Sequence, residues 1–282
     1  MNEIRSRIAR RGWILIVILT VAVLTGCTGP EAEQRSDEKD KEEEEIEFFG
    51  PEKPEERLRG QKRIRAHQDE YPEWILSFYD THREAEDWVA DYPDYAKKSS
   101  EEINKKALQP VELRKYRVIN NIPLFFQWDK DWGYASYGNG VIGVEGCGPT
   151  CLSMVAVGLK QDPSLTPKWM ADFSEENGYY LSDTGTDWNL MEYGAQQLGI
   201  HSKQIMKWSE DAVKNELELG RPMICSMGEG DFTNTGHFIV LSGIAEDGRI
   251  IVNDPNSPKN SEKLWDVWTL LNQMKAMWSF WI

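Results

Sequence analysis

The chain has 282 residues, room for one or two domains, and is 40% hydrophobic and 11% aromatic, so most of it can bury a core. Its 32 Lys and Arg face 47 Asp and Glu, a formal net charge of -15. That balance excludes a nucleic-acid partner, which requires a cationic face to neutralise phosphates. Four cysteines are too few for a disulfide scaffold.

At the N-terminus, Arg5, Arg7, Arg10 and Arg11 stand against a single acid, Glu3. An apolar run from Trp13 to Leu24 follows, well short of the roughly 20 residues that span a bilayer, and reads as the core of a secretory signal. It ends in Leu24-Thr25-Gly26-Cys27, which resembles the bacterial lipobox. Residues 1–26 are therefore expected to be a lipoprotein signal peptide. Cys27 would carry the lipid and hold the protein to the extracytoplasmic face of the bacterial cell membrane, where several buried acyl chains make a durable anchor. The Arg10-Arg11 pair leaves the export route open.

Between Glu31 and Leu58 there are 13 acidic and 5 basic residues, with an unbroken run from Glu42 to Glu45. Such a stretch cannot bury enough apolar area to fold. Residues 27–58 are expected to be a disordered tether spanning roughly 30 Å as a flexible coil.

From Arg59 to Asn121 the pattern is helical. Trp74, Ile75, Phe78 and Tyr79 are spaced to share one face, and Ala85, Trp88 and Val89 continue it. Tyr71-Pro72 and Tyr92-Pro93 punctuate the run. His67 and His82 stand among charged residues and are expected on the solvated surface.

Beyond Ile122 the texture changes. Leu124-Phe125-Phe126 reads as a short strand leading into Gln127-Trp128-Asp129, and a Gly-rich loop runs from Gly133 to Gly146. Cys147-Gly148-Pro149-Thr150 then opens a helix, Pro149 fitting a first turn where its missing N–H costs nothing. Further helices are expected over Trp188–Leu198 and Ser209–Leu219, each closed by a glycine. Strands are expected over Pro222–Met227, Phe238–Ile244 and Arg249–Asn253, the last two joined by an Asp247-Gly248 turn, with a helix and an aromatic strand ending the chain. The whole implies an α+β fold.

Cys147 has a nucleophile's position. A thiol at a helix N-terminus faces unpaired N–H groups and the positive dipole end, both of which favour the thiolate. Gly146 and Gly148 clear its flanks for a substrate backbone. His237, at the exposed start of an apolar strand, can serve as the general base. Asp254 ends the neighbouring strand and can hold the second imidazole nitrogen. Asn253 competes for that role, but its side chain should point the other way. Gln127 could donate to a tetrahedral oxyanion. Cys151 and Cys225 read as small core residues, His201 as a surface residue, and Cys-x-x-x-Cys lacks zinc-site spacing. No metal or cofactor is called for. Trp128, Trp132, Trp188 and Tyr134 could line a peptide groove.

In order along the chain, Leu124-Phe125-Phe126-Gln127, Gly146-Cys147-Gly148-Pro149-Thr150, Gly236-His237-Phe238 and Asn253-Asp254-Pro255 resemble the C39-like cysteine peptidases. The flanks Gln127 to Tyr134 and Gly185-Thr186-Asp187-Trp188 share the resemblance, which covers residues 122–282. It implies a papain-like fold with the cysteine helix packed on a C-terminal antiparallel sheet, after a helical extension over residues 59–121. It also implies Cys147 as nucleophile, His237 as base, Asp254 as orienter and Gln127 as oxyanion donor. Trp128, Trp132, Gly146, Thr186 and Gly236 are expected to contact substrate. The best-understood relatives are domains of ABC exporters that cut leader peptides after a double glycine, whereas no ATPase motif accompanies this domain. The expected function is thus a lipid-anchored, monomeric peptidase acting on a peptide or protein. A cell-wall peptide hydrolase using the same residues and a non-catalytic peptide-binding module are the alternatives.

Overall fold

The computed structural model describes residues 54–182 and 185–282. The expected signal peptide, its Cys27 and most of the tether lie outside the described residues. The first described helix, Pro54–Ala66, begins inside the stretch expected to be tether. Proline at the first helical position has its φ already set for a helix, a start that a charge count alone conceals.

The following helices are short: Glu73–Thr81, Glu86–Ala90, Tyr92–Tyr95 and Ser100–Ala107. The last is opened by a reciprocal capping box between Ser99 and Glu102. Ile75, Phe78, Tyr79, Ala85, Trp88 and Val89 bury together in a small core, while Trp74 stays exposed with its ring edge-on to Tyr92. This core is not isolated. Trp88 stacks on Tyr134, centroids 4.6 Å apart, and lies where a side chain at either Gly133 or Gly143 would have to go.

The centre of the molecule is the helix Cys147–Lys160. From Gly148 to Gly158 every residue is buried, as expected of a helix apolar all round. It ends at Gln161, whose φ of 53° leaves the right-handed region. Gly158 permits close approach to Ile122, since a Cβ there would sit 2.5 Å from its Cδ1.

Six strands form one antiparallel sheet. Their order is Leu264–Trp265, Ile250–Asn253, His237–Ile244, Met223–Met227, Met274–Trp281 and His201–Gln204. Alternation sorts the side chains between two faces. Ile224, Phe238, Val240, Trp278 and Phe280 pack with the cysteine helix. Cys225, Ile239, Leu241, Val252 and Met277 pack on the other face with Val213 and Leu217 of helix Glu210–Glu218 and Leu270 of helix Val267–Leu271. Because both faces are covered, the strands read as continuous apolar runs rather than as alternating ones. The fold is α+β, with the cysteine helix packed on an antiparallel sheet.

Local differences from the sequence reading have identifiable causes. Leu124-Phe125-Phe126 is buried coil, since its backbone donors go to Arg117 O and Met154 Sδ instead of to a strand. In place of a regular helix over Trp188–Leu198, a π-helical stretch Leu190–Gly194 runs into Ala195–Gln197. Two further helices are present: Pro167–Glu176, capped by Thr166, and Pro258–Glu262, capped by Ser257. Each has a hydroxyl cap followed directly by proline, a start signal easily taken for a turn.

Candidate active site

Cys147 opens its helix with Gly146 as the N-cap, so the first N–H groups have no acceptor within the helix. The sulfur lies beside the His237 ring and the N–H groups of Gly148 and Phe238, all of which favour its ionised form. The thiol is half-buried, and Cys151 and Cys225 are fully buried; all three are free.

His237 begins the strand next to the one that ends at Asn253. The pairing of Asn253 with Val240 delivers Asp254 close to the strand start. His237 Nε2 lies 2.7 Å from Asp254 Oδ1. With Nε2 so engaged, Nδ1 is the ring nitrogen left for the thiol. Asp254, 1% exposed, receives two more donors: Asn256 N–H on Oδ1 at 2.9 Å and Asn260 Nδ2 on Oδ2 at 2.9 Å. Asn253 points away. It donates to Pro123 O and accepts from Arg117, tying the strand to the coil before Gln127.

The electrostatics follow from these contacts. Burial works against a charged imidazole, but Asp254, by charge and hydrogen bond, together with Cys147 outweighs it and raises His237 to about 10. Burial likewise opposes a thiolate. The His237 charge and hydrogen bond, with the two N–H donors, win and hold the Cys147 thiol below its usual value. Cys151 and Cys225 have only burial acting strongly on them and are pushed up. Of the three, one thiol is prepared to ionise, and it is paired with an imidazolium.

Gln127 is 1% exposed, and its Nε2 donates to Gly143 O at 3.0 Å and Val144 O at 3.2 Å. The amide read from sequence as an oxyanion donor is engaged here by the loop that precedes Cys147. Turning it over would set Oε1 against two carbonyl oxygens, so this orientation is fixed even though it leaves Oε1 buried without a partner.

Several expected substrate contacts are structural. Trp132, 2% exposed, packs between Phe125 and Tyr116 and donates to Phe126 O. Thr186 is buried with its hydroxyl on Tyr137. Gly146 and Gly148 do not clear space for substrate. A Cβ on Gly146 would strike Ile142, and one on Gly148 would strike Thr186 at 2.5 Å, so both are demanded by packing inside the chain. Tyr134 is buried under Trp88. Trp128 is half-buried, stacked on Phe126 with Nε1 toward Asn256 O beside the Asp254 turn. Gly236 is exposed with open space around its Cα, and Trp188 is exposed with its ring edge-on to Trp278.

The sequence reading also missed residues at this site. His82, expected on the solvated surface, is half-buried and stacked on Phe78, and its Nδ1 lies 3.1 Å from Phe78 O. Burial lowers its pKa, and it feels the charges of His237 and Asp254. Asn256 and Asn260 carry no motif of their own; only their distance from Asp254 along a turn could have suggested them. Among the described residues, no group of three or more His, Cys, Asp or Glu is placed to hold a metal ion.

The Peptidase_C39 like family matches residues 119–280. A solved structure from Bacillus anthracis, described as a C39-like peptidase, aligns at 14% identity with a TM-score of 0.35, covering 58% of this chain and 96% of that one. No curated protein matches.

Proposed function

This chain belongs to the Peptidase_C39 like family, and on that premise we propose that it is a cysteine peptidase with Cys147, His237 and Asp254 as its triad. The observation that carries the reading is the pairing of Cys147 with an imidazole whose other nitrogen is held by a buried carboxylate.

The Cys147 thiolate attacks the scissile carbonyl carbon, and the carbonyl π pair moves to oxygen as an oxyanion. The N–H of Cys147 at the helix start receives that charge. Gln127 becomes the second donor when substrate draws its amide off Val144 O, the longer of its two bonds. His237 gives its proton to the leaving amine, the C–N bond breaks, and a thioester remains. His237, now neutral, takes a proton from water as the water attacks the thioester, and the acid product leaves with the thiolate restored. Asp254 holds the ring in the productive orientation.

The proposed substrate is a peptide or protein, met outside the cytoplasmic membrane if Cys27 is lipid-bearing. The test incubates the full chain with casein and, separately, with purified peptidoglycan, against Cys147→Ala. New peptide termini or released stem peptides in the wild type alone support the reading. Products that persist in Cys147→Ala, or no product from either material, count against it.

A further inference from the structure

The N-terminal helical segment makes a polar contact with the turn that follows Asp254. Glu84 lies between helices Glu73–Thr81 and Glu86–Ala90. Its carboxylate accepts the Ser257 hydroxyl on Oε2 and the Lys259 N–H, at 2.9 Å, on Oε1. Both donors belong to the start of helix Pro258–Glu262, which Ser257 caps by accepting the Asn260 N–H at 3.1 Å. That helix fixes Asp254 twice. Asn260 Nδ2 donates to Asp254 Oδ2 at 2.9 Å, and Ser261 Oγ accepts the Asp254 N–H at 2.9 Å.

From this chain of contacts we propose that Glu84 is a positioning residue of the peptidase site, setting through Ser257, Lys259 and Asn260 the orientation of the Asp254 carboxylate. The inference rests on the triad assignment above. It gives the helical segment a task other than covering the cleft: the segment braces the turn that aims the acid. A carboxylate accepts both donors at once and does so with charge. A glutamine keeps one acceptor for the Lys259 N–H, turns the Ser257 hydroxyl round to accept from its amide, and loses the charge assistance. His82, two residues earlier, reports on the same neighbourhood, since it is close enough to His237 and Asp254 to feel their charges.

The role is separable from general stability. A brace that only held the fold together would change melting and leave the reactivity of the remaining folded protein alone. A brace on Asp254 changes the thiolate–imidazolium pair itself. The experiment measures the iodoacetamide alkylation rate of Cys147 against pH in the full chain, for wild type, Glu84→Gln, Asn260→Ala, the double variant and His237→Ala, with melting curves showing that each is folded. Losing a hydrogen bond to a charged group corresponds to a change of about tenfold in an equilibrium. Glu84→Gln is therefore expected to slow alkylation at neutral pH by up to about tenfold and move the acid inflection upward. In the Asn260→Ala background it should have little further effect, because the path runs through Asn260. A Glu84→Gln profile superimposable on wild type, or effects of the two substitutions that simply multiply, overturns the inference. If Glu84→Gln proves unfolded, Glu84→Asp, which keeps both acceptors one methylene shorter, must show an intermediate profile; a wild-type profile overturns the proposal. His237→Ala separates the two claims: if it leaves the profile unmoved, the triad itself fails, whereas if it shifts the profile and Glu84→Gln does not, only the brace fails.

Discussion

Asp254 receives His237 Nε2 on one carboxylate oxygen and Asn260 Nδ2 on the other, at 2.7 and 2.9 Å. Every donor around it points inward, so the group must be an acceptor on both sides. The imidazolium it stabilises contributes fully to stability below the pKa of free histidine, and that contribution is lost as pH rises through about 10.

Asp254→Asn must therefore turn an NH2 toward either His237 and Asn256 or Asn260, a donor facing a donor. Peptide hydrolysis is expected to fall by about 10^3-fold or more, in line with acid-to-amide changes in related triads. Exchanging the partners, Asp254→Asn with Asn260→Asp, repairs the second contact. It should restore most of the melting temperature and little of the rate. Recovery of both would show that Asp254 is structural.

Gln127 distinguishes a brace from an oxyanion donor. Gln127→Ala leaves two loop carbonyls without a donor in either case and should lower stability by about 1–3 kcal/mol. If the amide also meets the oxyanion, kcat falls by about 10^2-fold with KM little changed. Steady-state kinetics on a folded variant read the split, and an unchanged kcat restricts Gln127 to bracing.

Trp88 pins the helical segment to the peptidase domain in a slot lined by Gly133 and Gly143. Trp88→Ala is expected to cost about 3–5 kcal/mol in chemical denaturation. Trp74→Ala, at an exposed position, should stay within about 1 kcal/mol. Equal effects would mean that the segment is only loosely attached.

Asp129 carries a pH signature. Burial, with Asp131 nearby, raises its carboxyl to about 6 despite donors from Asp131 N–H and Tyr116. Between about pH 4 and 6 the folded chain thus holds a proton that the unfolded chain releases, and stability from this group falls as pH rises. Asp129→Asn should flatten that dependence, so its melting temperature relative to wild type climbs across the window. A constant difference would contradict the assignment.

Much of the site was legible because its chemistry depends on residue types that are rare in apolar surroundings. A cysteine before Gly-Pro at a helix start, a histidine opening an apolar strand and an aspartate closing the next stood out in sequence, and alternation separated Asp254 from Asn253. What stayed hidden was relational. Trp132 and Thr186 look like groove residues until the fold surrounds them. Gly146 and Gly148 look permissive until Ile142 and Thr186 are seen against them. Glu84 and His82 lie far from Asp254 in sequence, and nothing local marks either as more than a surface residue. The α+β class was readable through hydrophobic runs, whereas Leu124-Phe125-Phe126 imitated a strand because burial, not pairing, set its composition.

The central claim is that His237 ionises Cys147, and thiolate absorbance titrated against pH in the full chain, taken as the difference from Cys147→Ala so that Cys27 cancels, tests it most directly, since burial keeps the Cys151 and Cys225 thiols protonated. Wild type is expected to show thiolate already formed below the ordinary thiol value of 9.0, and His237→Ala to lose that signal, burial then holding the sulfur protonated. No thiolate below that value in the wild type, or an identical curve for His237→Ala, would contradict the account.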